Sequence, residues 1–326
     1  MALIDTLESA WYGNGRAPWW ASPLSNIYGA VIRLRGWLYQ SGVRRSVVLP
    51  APVIVIGNLS VGGTGKTPLT IAVVEALRDR GYRPGVVSRG YGGSQREPLL
   101  LGETPDPSQV GDEPCLIAAS GVPVAIGRDR PAAAQLLLDA GCNAVIADDG
   151  LQHYRLARNV EICVIDGSRR FGNGRLLPAG PLREPMRRLQ RVDFRVCNGG
   201  IAEGGEYPMQ LRGGDVVSLS DGRRQSLAVF AGQRVHAVAA IGNPRRFFDS
   251  LRTADIDVIE HAFADHHRFV APDLEFSDDL PVLMTDKDAV KCKAFARSDW
   301  WRVPVYAELS ETFYEALVER IKRLGD

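Results

Sequence analysis

The eight residues from Ser60 to Thr67 constrain the fold of this chain more than any other stretch. They read Ser-Val-Gly-Gly-Thr-Gly-Lys-Thr, directly after an apolar run and directly before Pro68, which suits the first turn of a helix. Glycines at this spacing let backbone N–H groups turn inward around phosphates, and the N-terminus of the helix adds a favourable dipole. The pattern predicts a nucleotide-binding phosphate loop, although Ser60 stands where a leading glycine is usual.

We expect each residue of this loop to contact the nucleotide or its metal ion. Lys66 is placed to reach the β- and γ-phosphates, and the Thr67 hydroxyl is placed to bind Mg²⁺. A Gly-rich turn that binds nothing is the structural alternative, but the predicted strand before it and helix after it favour a nucleotide site. The predicted nucleotide-binding residues are Ser60, Val61, Gly62, Gly63, Thr64, Gly65, Lys66 and Thr67.

A second motif, at residues 143–150, supports the same chemistry. An apolar run follows Asn143 and ends in two carboxylates, Asp148 and Asp149. In phosphate-loop enzymes an acidic strand end holds Mg²⁺ and its waters, so we predict Thr67, Asp148 and Asp149 as metal ligands. Capping of the following turn is the alternative role for the two carboxylates. The two motifs together predict binding of Mg²⁺ and a nucleoside triphosphate, and they leave the phosphate acceptor open.

Short β-branched runs alternate with loops and helical stretches from Val53 onward, which is the pattern of a parallel sheet. The predicted fold class is α/β, with a phosphate-loop NTPase-type parallel sheet, flanking helices, and a second, smaller α/β domain joined by a β-ribbon linker. Ligands of such sheets bind beyond the carboxyl ends of the strands. We predict strands at 53–57, 84–88, 122–126, 144–148, 161–166 and 193–198, and helices at 68–80 and 131–140.

The pattern changes after Asn198, where a Gly-rich stretch contains alternating runs at 209–211 and 226–230. These runs suit a β-ribbon linker. Later strands are predicted at 235–241, 258–261, 282–285 and 302–306, and a last helix at 311–324. We therefore predict an N-terminal amphipathic segment at 1–50, a kinase-type core at 51–200, the linker at 201–233, the smaller domain at 234–310, and a C-terminal helix at 311–326 that packs back on the core.

Composition restricts the class of protein. With 45% hydrophobic residues, 24% charged residues and a formal net charge of +1, the chain suits an ordinary globular protein, and we expect no nucleic-acid partner. The five cysteines form no CxxC pair and suit reduced thiols of a cytosolic protein. No apolar run approaches the ~18–20 residues that span a bilayer, and the N-terminus lacks the layout of a secretory signal.

The first fifty residues are nevertheless unusual, because five arginines stand there against two acidic residues, with four of the six tryptophans. A predicted helix at 23–39 carries one apolar stripe with arginines beside it. Such a helix fits the headgroup layer of a membrane, and it equally fits packing on its own domain. The stripe consists of Leu24, Ile27, Tyr28, Val31, Leu34 and Leu38.

Nine sequence runs, taken together and in order, resemble the motifs of the tetraacyldisaccharide 4′-kinase family. The resemblance spans about residues 22–325. It implies Mg²⁺-dependent transfer of phosphate from ATP to a lipid A precursor. The runs begin with the phosphate loop in its wider form, 57–68, and continue with 88–92, 111–114, 148–153, 177–184, 198–200, 242–244, 265–267 and 285–291.

The resemblance also assigns roles to residues that sequence patterns alone leave undecided. It implies that Asp112 is the catalytic carboxylate, that His266 orients or tunes it, and that Lys66 and Arg183 act on the transferring phosphoryl group. A carboxylate paired with an imidazole suits acceptance of a hydroxyl proton near neutral pH. Contacts to substrate or phosphate are further implied for Arg89 and Tyr91, and nucleotide contacts for Asn243 and Pro244.

Ordinary structural roles stand beside several of these assignments. Asp112 also suits a helix N-cap, and Arg183 also suits a surface ion pair with Glu184. Asp265, His266 and His267, with His261 nearby, also fit a zinc site or a plain histidine pair. Residues 285–288 superficially resemble the guanine-reading NKxD motif, but the lysine stands one place late, so we infer no preference for GTP.

The predicted function is phosphorylation of the 4′-hydroxyl of a tetraacyldisaccharide 1-phosphate, with ATP and Mg²⁺ as cofactors. The predicted location is the cytoplasmic face of the inner membrane, where the enzyme acts as a peripheral monomer on an acylated glucosamine disaccharide. The alternative is a nucleotide-switch or cofactor-maturation NTPase that acts on a protein partner. A purely structural membrane adaptor does not explain the phosphate loop or the acidic strand end.

Overall fold

Strands and helices alternate along the chain, as the hydrophobic pattern predicts. The structure is a computed structural model that describes residues 2–13 and 15–323. Its strands are β1 (Val53–Gly57), β2 (Pro84–Ser88), β3 (Leu99–Leu100), β4 (Val124–Ile126), β5 (Ala144–Asp148), β6 (Val160–Asp166), β7 (Phe194–Asn198), β8 (Tyr207–Gly213), β9 (Val216–Ser218), β10 (Arg224–Gln225), β11 (Arg234–Ala239), β12 (Asp257–Ala262), β13 (Val282–Thr285), β14 (Trp300–Val303) and β15 (Val305–Leu309).

The helices cover both faces of the sheets that these strands form. They are α1 (Ala2–Tyr12), α2 (Ala21–Gln40), α3 (Lys66–Asp79), α4 (Pro107–Val110), α5 (Asp112–Ala118), α6 (Arg130–Asp139), α7 (Pro244–Thr253), α8 (Asp286–Cys292) and α9 (Glu311–Lys322). Short 3-10 turns lie at Met186–Arg191, Leu227–Phe230, Ala271–Leu274 and Lys293–Phe295. The final helix was predicted at 311–324. In the structure it ends at Lys322, and residue 324 lies outside the described residues.

The large sheet has the strand order β15-β8-β7-β6-β1-β5-β2-β4-β3 and is mostly parallel. Its central strand, β1, lies between β5 and β6, and Ile56 of β1 pairs with Asp148 of β5. All five residues of β1 and of β5 are buried, because α3, α5 and α9 cover one face and α6 covers the other. The predicted α/β fold is confirmed, and the acidic end of β5 lies next to the end of the strand that carries the phosphate loop.

A second sheet, smaller than the first, has the order β10-β9-β14-β13-β11-β12. Phe247, Phe248 and Leu251 of α7 pack on one face, and Ala289 and Cys292 of α8 pack on the other. We call the part of the chain built on the large sheet the large lobe, and the part built on this sheet the small lobe.

Two antiparallel segments, 207–218 and 300–309, connect the lobes. β8 pairs with β15 in the large sheet, and β9 pairs with β14 in the small one. The prediction of one strand at 302–306 is therefore wrong, because Pro304 separates two strands that belong to different sheets. Proline has no N–H to donate to a strand ladder. The Pro304 carbonyl accepts a hydrogen bond from the Gly214 N–H at 3.0 Å. The β-ribbon is formed with this returning segment and not between the runs at 209–211 and 226–230.

The second of those two runs is not a strand either. Residues 227–230 form a 3-10 turn that begins at Ser226, whose hydroxyl accepts a hydrogen bond from the Ala228 N–H at 3.3 Å. A serine that satisfies nearby backbone N–H groups favours a turn over a ladder.

The N-terminal helices pack beside the loop that follows β6. Trp11 donates from its indole to the Pro178 carbonyl at 2.9 Å, and the Ser25 hydroxyl donates to the Leu176 carbonyl at 2.9 Å. The opposite side of α2 faces solvent and exposes Leu24, Ile27, Val31 and Leu34. Tyr28, which the stripe was predicted to include, instead turns inward and donates to the Arg183 carbonyl at 3.0 Å.

None of the helices in residues 2–13 and 15–323 is long and apolar enough to cross a membrane.

Candidate active site

The phosphate loop joins β1 to α3, and its backbone requires glycine at two positions. Gly62 and Gly65 have φ angles of 101° and 90°, which residues with a Cβ rarely adopt. A Cβ on Gly65 would lie 2.3 Å from Asn198 Nδ2, and that amide donates to the Thr64 carbonyl at 2.9 Å. The predicted loop therefore lies at the N-terminus of α3 and is held against the end of β7.

Arg183 is far from the phosphate loop in sequence and next to it in space. Its N–H donates to the Leu59 carbonyl at 2.6 Å, and the Val61 N–H donates to the Pro181 carbonyl at 2.8 Å. The segment 181–183 thus runs alongside the start of the loop. The arginine does not pair with Glu184, since its guanidinium donates to both oxygens of Asp149, at 3.1 and 3.0 Å.

Asp149 joins the two cations that were predicted to act on phosphate. Lys66 Nζ lies 3.6 Å from Asp149 Oδ1, and Arg183 lies 3.0 Å from Oδ2. Burial alone would raise the pKa of Asp149, but Lys66 and Arg183 outweigh it and lower that pKa well below the usual range. Asp149 therefore remains ionised and fixes the positions of both cations.

Asp148 occupies a different environment at the end of β5. It is buried, it accepts a hydrogen bond from the Thr70 hydroxyl at 3.1 Å, and its backbone carbonyl accepts one from the buried Arg130 guanidinium at 2.9 Å. Burial and the negative charge of Glu113 raise the pKa of Asp148 above its ordinary value, although Lys66 opposes this shift. A nearby cation would stabilise its ionised form.

The residues at this edge fit a magnesium ion. Thr67 lies three positions before Thr70 on α3, so both hydroxyls occupy the same side of the helix, and Thr70 is already in contact with Asp148. Hydroxyl and carboxylate oxygens are hard donors, and Mg²⁺ prefers one or two carboxylates together with substrate phosphates. Thr67 and Asp148 would hold the ion. The engagement of Asp149 with Lys66 and Arg183 makes it the less direct of the predicted ligands.

The predicted carboxylate and imidazole meet at the boundary between the lobes. Asp112 begins α5 in the large lobe, and His266 follows β12 in the small lobe. The distance from His266 Nδ1 to Asp112 Oδ2 is 3.3 Å, and Tyr91 packs on the histidine ring with centroids 5.1 Å apart. Burial would raise the pKa of Asp112, but the hydrogen bond from His266, with Lys291 and Lys287, lowers it. Two residues that are 154 positions apart thus form one hydrogen-bonded carboxylate–imidazole pair.

The neighbouring histidines do not gather around a common point. His267 pairs with Asp273 at 2.9 Å, whereas His261 pairs with His236 at 2.9 Å. His266 alone of this group faces Asp112. Among the described residues, no group of three or more His, Cys, Asp or Glu side chains is arranged to hold a metal ion.

The turn before α7 lies against the phosphate loop. A Cβ on Gly242 would be 2.9 Å from the Gly63 nitrogen, which brings the predicted contact residues Asn243 and Pro244 close to the nucleotide loop. Arg246, in the first turn of α7, donates to Asn198 Oδ1 at 2.9 Å. Both lobes therefore border the loop. Arg89, which directly follows β2, is exposed.

Two lysines of α8 were missed as candidates from the sequence. Lys287 lies 3.5 Å from Glu113 and 3.3 Å from Asp265, and Lys291 lies 3.4 Å from Asp112. Their run, 285–291, was counted among the family-like motifs and compared with a guanine-reading motif, but neither lysine was given a role. The signal that would have found them is their spacing, because residues four apart on a helix share one face.

Comparisons with known proteins decide the family. A model of the family described as tetraacyldisaccharide-1-P 4′-kinase matches residues 17–322. The chain belongs to this family. Among proteins named tetraacyldisaccharide 4′-kinase, that of Stenotrophomonas maltophilia is 50% identical over 325 residues, or 96% of each chain. That of Hahella chejuensis is 49% identical and covers 99% of this chain and 98% of its own.

A solved member of the 4′-kinase family has the same fold. The crystal structure of the "apo" form of LpxK from Aquifex aeolicus in complex with ATP superimposes with a TM-score of 0.78 at 27% identity, covering 92% of this chain and 98% of that one. The resemblance stated from nine sequence runs is confirmed, and so is the phosphate-loop α/β architecture that those runs implied.

Proposed function

We propose that the chain transfers the γ-phosphoryl group of ATP to the 4′-hydroxyl of a tetraacyldisaccharide 1-phosphate, a step of lipid A biosynthesis. Membership of the 4′-kinase family supports the reaction. The single observation that carries it to residues is the continuous line of charged groups from the phosphate loop to the lobe boundary. Lys66 and Arg183 flank Asp149, Glu113 acts on the neighbouring Asp148, and Asp112 stands beside Glu113.

Each end of this line suits one half of a phosphoryl transfer. The loop residues from Ser60 to Thr67 hold the triphosphate, and Lys66 with Arg183 neutralises charge on the transferring group. A magnesium ion, when bound by Thr67 and Asp148, supplies further neutralisation of the phosphate oxygens. Asp112 accepts the proton of the 4′-hydroxyl while that oxygen bonds to the γ-phosphorus and the bond to ADP breaks.

The acceptor side must also exclude water, since an exposed phosphoryl group would be hydrolysed. Asp112 belongs to the large lobe and His266 to the small lobe, so the pair exists only where the two lobes pack together. Positioning of the hydroxyl between them gives selectivity for a sugar over water.

The exposed apolar stripe of α2 supports docking at a membrane surface. The substrate carries four acyl chains, by the name of the family, and these stay in a bilayer. Leu24, Ile27, Val31 and Leu34 are exposed on one side of the helix, and the exposed Arg33 lies beside them. Burial of these side chains in the headgroup layer and attraction of arginine to anionic lipid act together. We infer a peripheral, monomeric enzyme at the cytoplasmic face of the inner membrane.

Transfer of labelled γ-phosphate from ATP to a tetraacyldisaccharide 1-phosphate in detergent micelles tests the proposal. The wild-type chain should label the lipid, while Lys66→Ala and Asp112→Ala should lose at least about a hundredfold of the rate. Consumption of ATP without labelled lipid would instead favour the nucleotide-switch alternative, in which the chain acts on a protein partner.

A further inference from the structure

The charged partners of the Asp112 carboxylate come from the opposite lobe. Its side chain is only 14% exposed. His266 Nδ1 lies 3.3 Å from Asp112 Oδ2, and Lys291 Nζ lies 3.4 Å from the same oxygen. The imidazole and the ammonium both lie against Oδ2, which leaves Oδ1 as the oxygen that a third group can meet. The small lobe thus determines how this carboxylate is oriented.

Lys291 also pairs with a second carboxylate, that of Asp288. Its ammonium donates to Asp288 Oδ1 at 2.9 Å, and the lysine side chain is 7% exposed. Asp288 is itself completely buried and accepts from the Ala240 N–H at 2.8 Å and the Thr285 hydroxyl at 2.6 Å. A buried ammonium between two carboxylates has little freedom to move. Lys291 therefore presents a fixed positive charge to Asp112.

Lys287 sets the orientation of the histidine proton. Its ammonium lies 3.3 Å from His266 Nε2, and an ammonium can only donate. In the tautomer that accepts this hydrogen bond at Nε2, the ring proton resides on Nδ1, the nitrogen that faces Asp112. The two lysines have different tasks, because Lys287 acts on the histidine and Lys291 acts on the carboxylate directly.

The net field at Asp112 is the balance of several groups. The acids that oppose ionisation of Asp112 are Glu113, which follows it on α5, Asp265, which lies 3.9 Å from His266, and Asp288, which pairs with Lys291. Burial would also raise the pKa of Asp112. The hydrogen bond from His266 and the charges of Lys291 and Lys287 outweigh burial, and the pKa of Asp112 is lowered. Lys291 is the larger of the two lysine contributions.

We propose that Lys291 is a positioning residue of the phosphoryl transfer, through which the small lobe holds Asp112 ionised and turns Oδ1 toward the acceptor hydroxyl. The inference rests on the role proposed above for Asp112. It makes the proton acceptor dependent on the packing of the two lobes, since neither Lys291 nor His266 belongs to the lobe that carries the carboxylate.

The test compares Lys291→Met with Lys293→Met in the kinase assay across pH. Methionine keeps most of the length of the lysine side chain and removes its charge. Lys293 is exposed in the 3-10 turn that follows α8, so its variant removes the same charge outside the site. Lys291→Met should lower kcat about 10- to 100-fold at neutral pH with the KM for ATP unchanged, and should move the acid limb of kcat/KM up by about one pH unit. Lys291→Arg should restore most of the rate.

Further variants separate a positioning role from a structural one. Combined with Asp112→Asn, Lys291→Met should cause no additional loss, because its effect passes through Asp112. Should the single variant not fold, Lys291→Met with Asp288→Asn removes both charges of the buried pair. The acid limb should then move in the same direction by a smaller amount, because loss of the Asp288 charge partly offsets loss of Lys291. A wild-type rate and pH profile in the folded Lys291 variants overturns the inference if Asp112→Asn is inactive. A fully active Asp112→Asn overturns the proposed role of Asp112 itself.

Discussion

Replacement of two apolar residues on the outer side of α2 should detach the chain from lipid without unfolding it. Ile27 is 61% exposed and Leu34 is 57% exposed, so neither supports the core. Full burial of such a side chain contributes about 1.5–3 kcal/mol. The exposed share, about three fifths, then offers about 1–2 kcal/mol for each residue at a membrane. Ile27→Ser with Leu34→Ser should therefore weaken membrane partition by about 2–4 kcal/mol, or roughly 30-fold to several hundredfold.

The assay is co-sedimentation with vesicles of phosphatidylethanolamine and phosphatidylglycerol. The matched control is Asn26→Ser with Gln40→Ser, which changes two exposed polar residues of α2 outside the stripe. The control should bind vesicles like the wild type. Higher salt should weaken binding of both, because exposed arginines contribute through screened attraction to anionic lipid.

The result has a kinetic counterpart. The stripe variant should show a higher apparent KM for micellar lipid and an unchanged KM for ATP. Equal vesicle binding by the stripe variant and the wild type would refute this prediction, since the exposed apolar side chains of α2 would then contribute nothing to membrane binding.

Three further results are expected. Gly65→Ala should weaken ATP binding at least about tenfold, because a Cβ there would lie 2.3 Å from the Asn198 amide and the residue has a positive φ. Calorimetric titration measures the affinity, and a wild-type value would contradict this expectation. Arg183→Met should lower kcat about 10²–10³-fold with a smaller change in the KM for ATP, and an unchanged kcat in steady-state assays would exclude a phosphoryl contact. Phe313→Ala should lower the free energy of unfolding by about 3–5 kcal/mol, since the Phe313 side chain is fully buried. Urea denaturation measures this free energy, and a loss below ~1 kcal/mol would contradict the packing.

The ion pairs of Asp149 should also determine how the thermal stability of the chain falls at acid pH. The pKa of Asp149 is lowered in the folded chain because Lys66 and Arg183 outweigh its burial. Its contribution to stability is therefore complete above the ordinary aspartate pKa of about 3.9 and is lost as pH falls toward the folded value. Asp149→Asn should flatten the acid side of a Tm-versus-pH curve, and an unchanged slope would contradict the ion pairs.

The central strands were predictable because both of their faces are buried. A strand of a parallel sheet reads as a short continuous apolar run bounded by turn residues. Strands at 53–57, 84–88, 144–148 and 282–285 have the predicted bounds. The phosphate loop was equally predictable, because its glycines are required by local backbone conformation and not by distant contacts.

Features that depend on distant partners were not predictable. The split at Pro304 follows from two strands that join different sheets, and nothing in the local pattern reports which sheet a short strand joins. The contact of Lys291 with Asp112 joins residues that are far apart in sequence. Periodicity likewise gave the stripe of α2 but not its direction, because an apolar face packs equally on a core or on lipid.

The site could be assembled from the sequence only through the family resemblance. Asp112 and His266 carry no local signal of pairing, and their contact across the lobes depends on the tertiary fold. Their catalytic roles remain predictions, and so do those of Lys66 and Arg183, while the contacts of all four side chains are now defined.

The most direct measurement is the structure of the product formed from ATP and a tetraacyldisaccharide 1-phosphate. Phosphorus and proton NMR should show one new phosphomonoester, at the 4′-oxygen, formed in step with ADP and absent with Asp112→Asn. A phosphate at another hydroxyl, or release of inorganic phosphate from ATP with unchanged lipid, would contradict the proposed transfer.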